Sequence, residues 1–263
     1  MPGVRDRVAV VTGAANGLGR EIALLLAREG ARVALGDLDA AGLDKTAAAI
    51  TAAGGAAVAV AGDLTEEAPA NWLIATCVER FGRIDILVTC AGSSPGGLLE
   101  NLTEDDWFSS LNLKFMGYVR TCRAVVPHMR EAGSGSIVLV VGNDGLKPSY
   151  WEMTAGVANA ADINFASSLA EQYGPLGIRV NTVNPGPVNT ERWDGLEKAF
   201  ARDKGIDQDA AHELAVGSLP LGRICEPEEV ANLVAFLASP RASYLNGAHI
   251  PMDGGQRKAL MDL

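Results

Sequence analysis

Positive charge is in short supply in this chain: 22 Lys and Arg stand against 32 Asp and Glu, a formal net charge of −10. A surface of that sign repels phosphate backbones and anionic headgroups, so neither nucleic acid nor a membrane surface is an expected partner. Cysteine is sparse as well. Cys77, Cys90, Cys122 and Cys225 are widely spaced and form no C-x-x-C pair, which argues against a disulfide framework or a structural zinc site and fits a reducing, cytoplasmic setting. The three histidines, His128, His212 and His249, form no H-x-x-x-H or similar cluster, so no metal is expected. No apolar run approaches the roughly 18 residues of a membrane helix, and a first strand beginning at Val8 predicts no secretory leader. Internal repeats and linkers are missing too. With 263 residues and 48% hydrophobic content, a single domain with one substantial core is expected over residues 1–263.

What is present is richest at residues 7–39. An apolar strand, 8–12, runs into the turn Thr12-Gly13-Ala14-Ala15-Asn16-Gly17-Leu18-Gly19, then a helix to Glu29 and a second strand, 32–36, closing on Asp37. Each glycine removes a side chain where backbone must bend sharply, approach a pyrophosphate or pack helix on strand. The free N–H groups and positive dipole end of the helix favour an anion there without any basic side chain. Asp37 follows Gly17 by 20 positions, where a carboxylate at a strand end accepts hydrogen bonds from ribose hydroxyls. The same carboxylate repels a 2′-phosphate. No Arg or Lys follows Ala14 in the turn or occupies position 38, so the expected cofactor is NAD rather than NADP.

Beyond this stretch, unbroken apolar strands at 56–61, 84–89, 136–141 and 177–184 alternate with helices at 40–53, 66–81, 103–129 and 151–173. That alternation describes a parallel sheet buried on both faces. Asp63 reads as an N-cap for the helix from Glu66. Thr103 to Asp106 reads as a capping box with Asp in place of the usual Glu.

The spacing G-x-x-x-G-x-G resembles the short-chain dehydrogenase/reductase family, and the resemblance runs from Arg7 to Gly255 without a gap. It implies an α/β, Rossmann-type doubly wound sheet of about seven strands in the order 3-2-1-4-5-6-7. It also implies a cofactor site made of Gly13, Asn16, Gly17, Leu18 and Gly19, with Asp37 and Leu38 at the ribose and Asp63 and Leu64 at the adenine. Thr89-Cys90-Ala91-Gly92 stands where the family carries Asn-Asn-Ala-Gly beneath the cofactor, and Asn112 matches the active-site asparagine. Asn184-Pro185-Gly186-Pro187-Val188 resembles the segment that holds the nicotinamide carboxamide. Residues 189–217 suggest a lid over a small-molecule substrate. The helices at 103–129 and 151–173, with the tail at 256–263, imply a homodimer or homotetramer.

The family's proton chemistry needs a Ser, a Tyr and a Lys one helical turn later, because a phenol near pKa 10 must be shifted by a nearby cation. Aligned on Ile178-Arg179-Val180-Asn181 and the helix before it, the Tyr position falls on Ala155 and the Lys position on Asn159. Aligned independently on the strand at 136–141, the Ser position falls on Gly142, thirteen residues before Ala155, which is the family's separation. All three identities are missing. A shifted register using Tyr150 would need Lys at 154, where Thr154 stands.

Three readings follow. The first is an NAD-dependent oxidoreductase with a rebuilt set, in which Asn112 holds water or substrate, Asn159 bonds the nicotinamide ribose, and Tyr150 or Glu152 handles the proton. The second is a non-catalytic subunit in a hetero-oligomer with an active relative. The third, weaker, keeps NAD but performs a lyase or dehydration step.

Overall fold

Seven strands lie side by side in the order β3-β2-β1-β4-β5-β6-β7, every neighbouring pair parallel. They are β1 (Val8–Thr12), β2 (Arg32–Asp37), β3 (Ala56–Ala61), β4 (Ile86–Thr89), β5 (Gly135–Val140), β6 (Ile178–Pro185) and β7 (His249–Met252). This computed structural model describes residues 3–256. The expected fold class and strand order are therefore those of the molecule, a single α/β Rossmann-type domain.

Period-two alternation explains why both faces are covered. On β1, Ala9 and Val11 enter one core while Val8 and Val10 enter the other. On β5, Val138 and Val140 join the first core and Ile137 and Leu139 the second. The first core is closed by α1 (Gly17–Arg28), α2 (Ala40–Ala52) and α9 (Pro227–Ala238); the second by α3 (Glu67–Phe81), α5 (Gly117–Ala132) and α6 (Met153–Tyr173). Each fully buried Val, Leu or Ile on these faces contributes about 1.5–3 kcal/mol.

The helix expected at 103–129 is broken. Thr103 does cap α4 (Glu104–Ser110) by the expected box with Asp106. A π-helical turn, Leu111–Met116, then precedes α5. The widened turn frees backbone carbonyls, and Arg120 satisfies them: Nη1 donates to Asn112 O at 3.0 Å and Leu64 O at 3.1 Å, and Nη2 donates to Asn112 Oδ1 at 2.7 Å. Asp63 is not a helix cap. Its Oδ1 accepts from Thr65 N at 2.9 Å, and Glu66 holds the cap position. The last helix before β6 starts at Met153, because Ser149 Oγ accepts the N–H groups of Trp151 and Glu152 and holds a turn there.

A third apolar cluster lies outside the sheet. Trp151, Trp193, Phe200 and Ala211 pack α7 (Glu191–Lys204) and α8 (Gln208–Gly217) against the segment before α6. Trp151 stands edge-on to Phe200 at 5.8 Å and donates from Nε1 to Asp203 Oδ2 at 2.9 Å. These contacts fasten residues 191–217 over the carboxyl ends of the strands.

Candidate active site

A cavity of about 850 Å³ opens at the carboxyl ends of the strands, where doubly wound sheets bind ligands. Every residue expected to hold the cofactor lines it, from Gly13, Asn16, Gly17, Leu18 and Gly19 through Asp37, Leu38, Asp63, Leu64, Cys90, Ala91 and Gly92 to Asn159, Pro185, Gly186 and Val188.

One end is built of backbone. A Cβ at Gly19 would lie 2.1 Å from Gly13 O, and one at Gly13 would lie 2.8 Å from Ala91 N, so neither position admits a side chain. At Gly17, φ is +51° and a Cβ would meet nothing nearer than Thr190 Cγ2 at 4.0 Å; the glycine leaves the amino end of α1 bare toward the cavity. Asp37 is fixed by two donors, Ala15 N to Oδ2 at 3.0 Å and Asp39 N to Oδ1 at 3.1 Å. Lone pairs remain on both oxygens for hydroxyl donors. Leu38, 70% exposed, offers an apolar surface beside it. These residues fit a dinucleotide with free ribose hydroxyls.

The other end is built of side chains. Ala155, the position expected to replace the phenol, is buried and lines the cavity. Asn159 donates from Nδ2 to Asp144 Oδ1 across the same space. A Cβ at Gly142 would meet Asp144 Oδ1 at 2.4 Å and Asn159 Nδ2 at 2.6 Å, and one at Gly145 would meet the backbone of Asn159 at 2.8 Å. Positions 142, 144 and 159 are thus one packed unit: glycine at 142 makes room for the Asp144–Asn159 bond. Among the described residues, Asn159 Oδ1 and both carboxylate oxygens of Asp162 are buried without a hydrogen-bond partner. Burial pushes the Asp162 carboxyl up to about 8, the Lys114 charge opposing. Lys114 itself lines the cavity, and burial holds its ammonium below the usual lysine range.

The three residues expected to act on substrate are dispersed. Glu152 lines the cavity as the residue before α6. Tyr150 is 36% exposed on the preceding loop, its ring 5.1 Å from Lys204 Nζ, and is not among the lining residues. Asn112 faces Arg120 rather than the cavity. Lys147, from the same loop as Tyr150, forms an ion pair with Asp253 and donates to Gln256 O, tying that loop to the turn after β7. From α7, Arg192 and Trp193 border the opening. Trp193 Nε1 donates to Glu197 Oε1 at 2.6 Å, and His212 Nδ1 lies 2.8 Å from the same oxygen.

Lys114 and Asp162 were both readable and passed over. Lys114 is a lone cation in the apolar run Leu111 to Met116, and Asp162 a lone acid among Ala158, Ala160, Ala161 and Ile163. Among the described residues no group of three or more His, Cys, Asp or Glu could hold a metal ion, and no helix is long and apolar enough to cross a membrane.

Residues 13–257 match the family described as enoyl-(acyl carrier protein) reductase. The chain is 37% identical to the short-chain reductase protein NovJ of Streptomyces niveus, over 96% of this chain and 94% of NovJ. It is 32% identical to the (2S)-[(R)-hydroxy(phenyl)methyl]succinyl-CoA dehydrogenase subunit BbsD of Thauera aromatica, over 97% of this chain and 98% of BbsD. The crystal structure of NAD+-bound xylitol dehydrogenase superposes with a TM-score of 0.93 at 28% identity, covering 95% of this chain and 99% of the other. With glycine cradle, sheet order and full-length similarity in agreement, the chain belongs to the short-chain dehydrogenase/reductase family, oxidoreductases of alcohols and carbonyls.

Proposed function

We propose that this protein is an NAD(H)-dependent oxidoreductase of an alcohol or carbonyl substrate whose proton is handled by a carboxylate, Glu152, in place of the missing phenol. The observation that carries this reading is the cavity face of α6. Ala155 and Asn159, four apart on α6, and Glu152, at its N-cap, all line the cavity, so the carboxylate lies at the amino end of the helix that carries the position assigned to the phenol. NAD(H), when bound, supplies or takes up the hydride. Supporting the cofactor assignment are the bare amino end of α1, the fixed Asp37 carboxylate and the likeness to NAD+-bound xylitol dehydrogenase.

In this reading Glu152 accepts the hydroxyl proton in the oxidising direction and returns it in the reducing one. Asn159 Oδ1, buried and unpartnered, accepts from a ribose hydroxyl. Asn112 acts through the π-helical turn, where its bond to Arg120 fixes the backbone that carries Lys114. Tyr150 borders the path by which substrate enters beneath α7 and α8, which serve as the lid with the residues from 189 onward. The protein works in the cytoplasm as a homo-oligomer.

The test is single-turnover absorbance of the reduced nicotinamide, with vicinal diols, cyclic alcohols and 3-hydroxyacyl thioesters as substrates. Glu152→Gln lowers the hydride-transfer rate at least about a hundredfold, within the range for lost general acid–base catalysis. Tyr150→Phe changes it far less. Unchanged transfer in both variants with every accepted substrate removes the assignment.

A second reading has its own support: BbsD is by name a subunit of a dehydrogenase, and this chain lacks the phenol and ammonium. It would then complete an assembly with an active relative. Purification from the native host discriminates, since recovery of this chain only with copies of itself excludes that assembly.

A further inference from the structure

The cavity has lost the lysine of α6 but has not lost a cation. Lys114 stands on the π-helical turn between Leu113 and Phe115, across the cavity from that helix. Its stem lies on Gly92: a Cβ built there would be 3.0 Å from Lys114 Cγ and 3.7 Å from Cε. Gly92 belongs to the floor that runs from Cys90, where a bound dinucleotide must pass. A side chain at 92 would displace the lysine stem, so the glycine and the lysine form one feature.

Charged groups from several elements act on the ammonium. Asp144 comes from the turn after β5, Asp162 from α6, Glu152 from the residue before α6, and Arg192 from α7. The Cys90 thiol at the end of β4 also feels its charge. What Lys114 senses from these groups is long-range charge; no hydrogen bond or ion pair ties it to a described residue. On α6 an acceptor without a donor lines the same cavity, Asn159 Oδ1. A buried acceptor left unpaired costs about 1–3 kcal/mol, so this arrangement calls for a hydroxyl-bearing ligand between cation and amide.

We propose that Lys114 replaces the missing ammonium from the opposite wall of the cavity, holding the ribose hydroxyls of the nicotinamide half of the cofactor while Asn159 Oδ1 accepts from them. The inference rests on the NAD(H) reading given above. Asp144, the strongest charge acting on it, is the counter-charge that favours a cation at this depth. The ammonium donates only while protonated. Burial lowers its pKa, so cofactor affinity falls with rising pH earlier than an ordinary lysine would dictate.

The experiment measures NAD+ affinity by calorimetry across neutral to alkaline pH. Lys114→Met weakens binding about tenfold, the worth of one charge-assisted hydrogen bond, and abolishes the alkaline decline. Lys114→Arg recovers most of the affinity and shifts the decline to higher pH. Acetylation of the wild-type protein, read by mass spectrometry, gives an answer that needs no variant to fold: saturating NAD+ protects Lys114 and leaves Lys45, exposed on α2, equally reactive. Unchanged affinity in Lys114→Met, a decline that persists in it, or equal acetylation of Lys114 with and without NAD+ overturns the proposal alone. Wild-type protein that binds no NAD+ overturns it together with the cofactor assignment.

Discussion

At the adenine end of the cavity, recognition is written in backbone: bare N–H groups at the start of α1, three glycines and a carboxylate locked by two N–H donors. At the other end it is written in side chains, and there Gly142, Ala155 and Asn159 line the cavity, the positions that the proposed alignment gives to the family's Ser, Tyr and Lys. The first end cannot drift at Gly13 or Gly19, because a methyl added at either would strike backbone that has nowhere to go. At the second end the Asp144–Asn159 bond fills the space that a side chain at 142 would need. A fold can therefore keep its grip on a cofactor while the chemistry beside it is rewritten.

The largest effect should come from the rigid end. Gly19→Ala puts a Cβ at 2.1 Å from Gly13 O, so a loss of about 3 kcal/mol of stability and at least a hundredfold of NAD+ affinity is expected, by denaturant melts and calorimetry. Next, Gly142→Ser should cost about 1–3 kcal/mol by overpacking against Asp144 and Asn159. Adding Asp144→Ala should recover more than half of that. Strict additivity in a double-mutant cycle would show the two positions are not coupled.

The third prediction concerns pH. Asp162 has its folded pKa raised from 3.8 to about 8, so the stability it confers is complete below 3.8 and is lost as pH rises through about 8. Asp162→Asn should therefore melt at least about 5 °C higher than wild type at pH 9 and close to it at pH 4. Equal melting at both pH values would argue against a buried acid. The smallest effect belongs to the surface, at Glu229, where hydrogen bonds from Arg223 and from Glu226 N lower the carboxyl to about 2. Its contribution is present above 4.5 and lost as pH falls through about 2, so Glu229→Gln should lower the neutral-pH Tm by less than about 3 °C and have no effect near pH 2.

Sequence and structure agree where local rules suffice. Strand runs such as Val8-Ala9-Val10-Val11 and the Thr103–Asp106 box carry their own conformational instructions, and Asp37 is found by counting from Gly17. The break at Leu111 was not legible, because nothing in Leu-Asn-Leu-Lys-Phe-Met forbids an ordinary helix; the π turn depends on Arg120 reaching back to Asn112 and to Leu64 on another segment. That turn also decides which residue of the run faces the cavity. Reading the run by its asparagine led past Lys114 for the same reason. Asp144 lies fifteen residues before Asn159, and only the register between the turn after β5 and α6 brings the two together.

The contact between position 142 and the Asp144–Asn159 bond has a consequence for the history of this chain. A serine cannot return while the asparagine and aspartate hold their places, and a lysine at 159 gains nothing until a tyrosine stands at 155. A side chain at 142, introduced alone, worsens packing before it restores any chemistry. On the proposed alignment, a laboratory path to an ordinary reductase therefore changes position 142 together with Asp144 and Asn159 rather than alone.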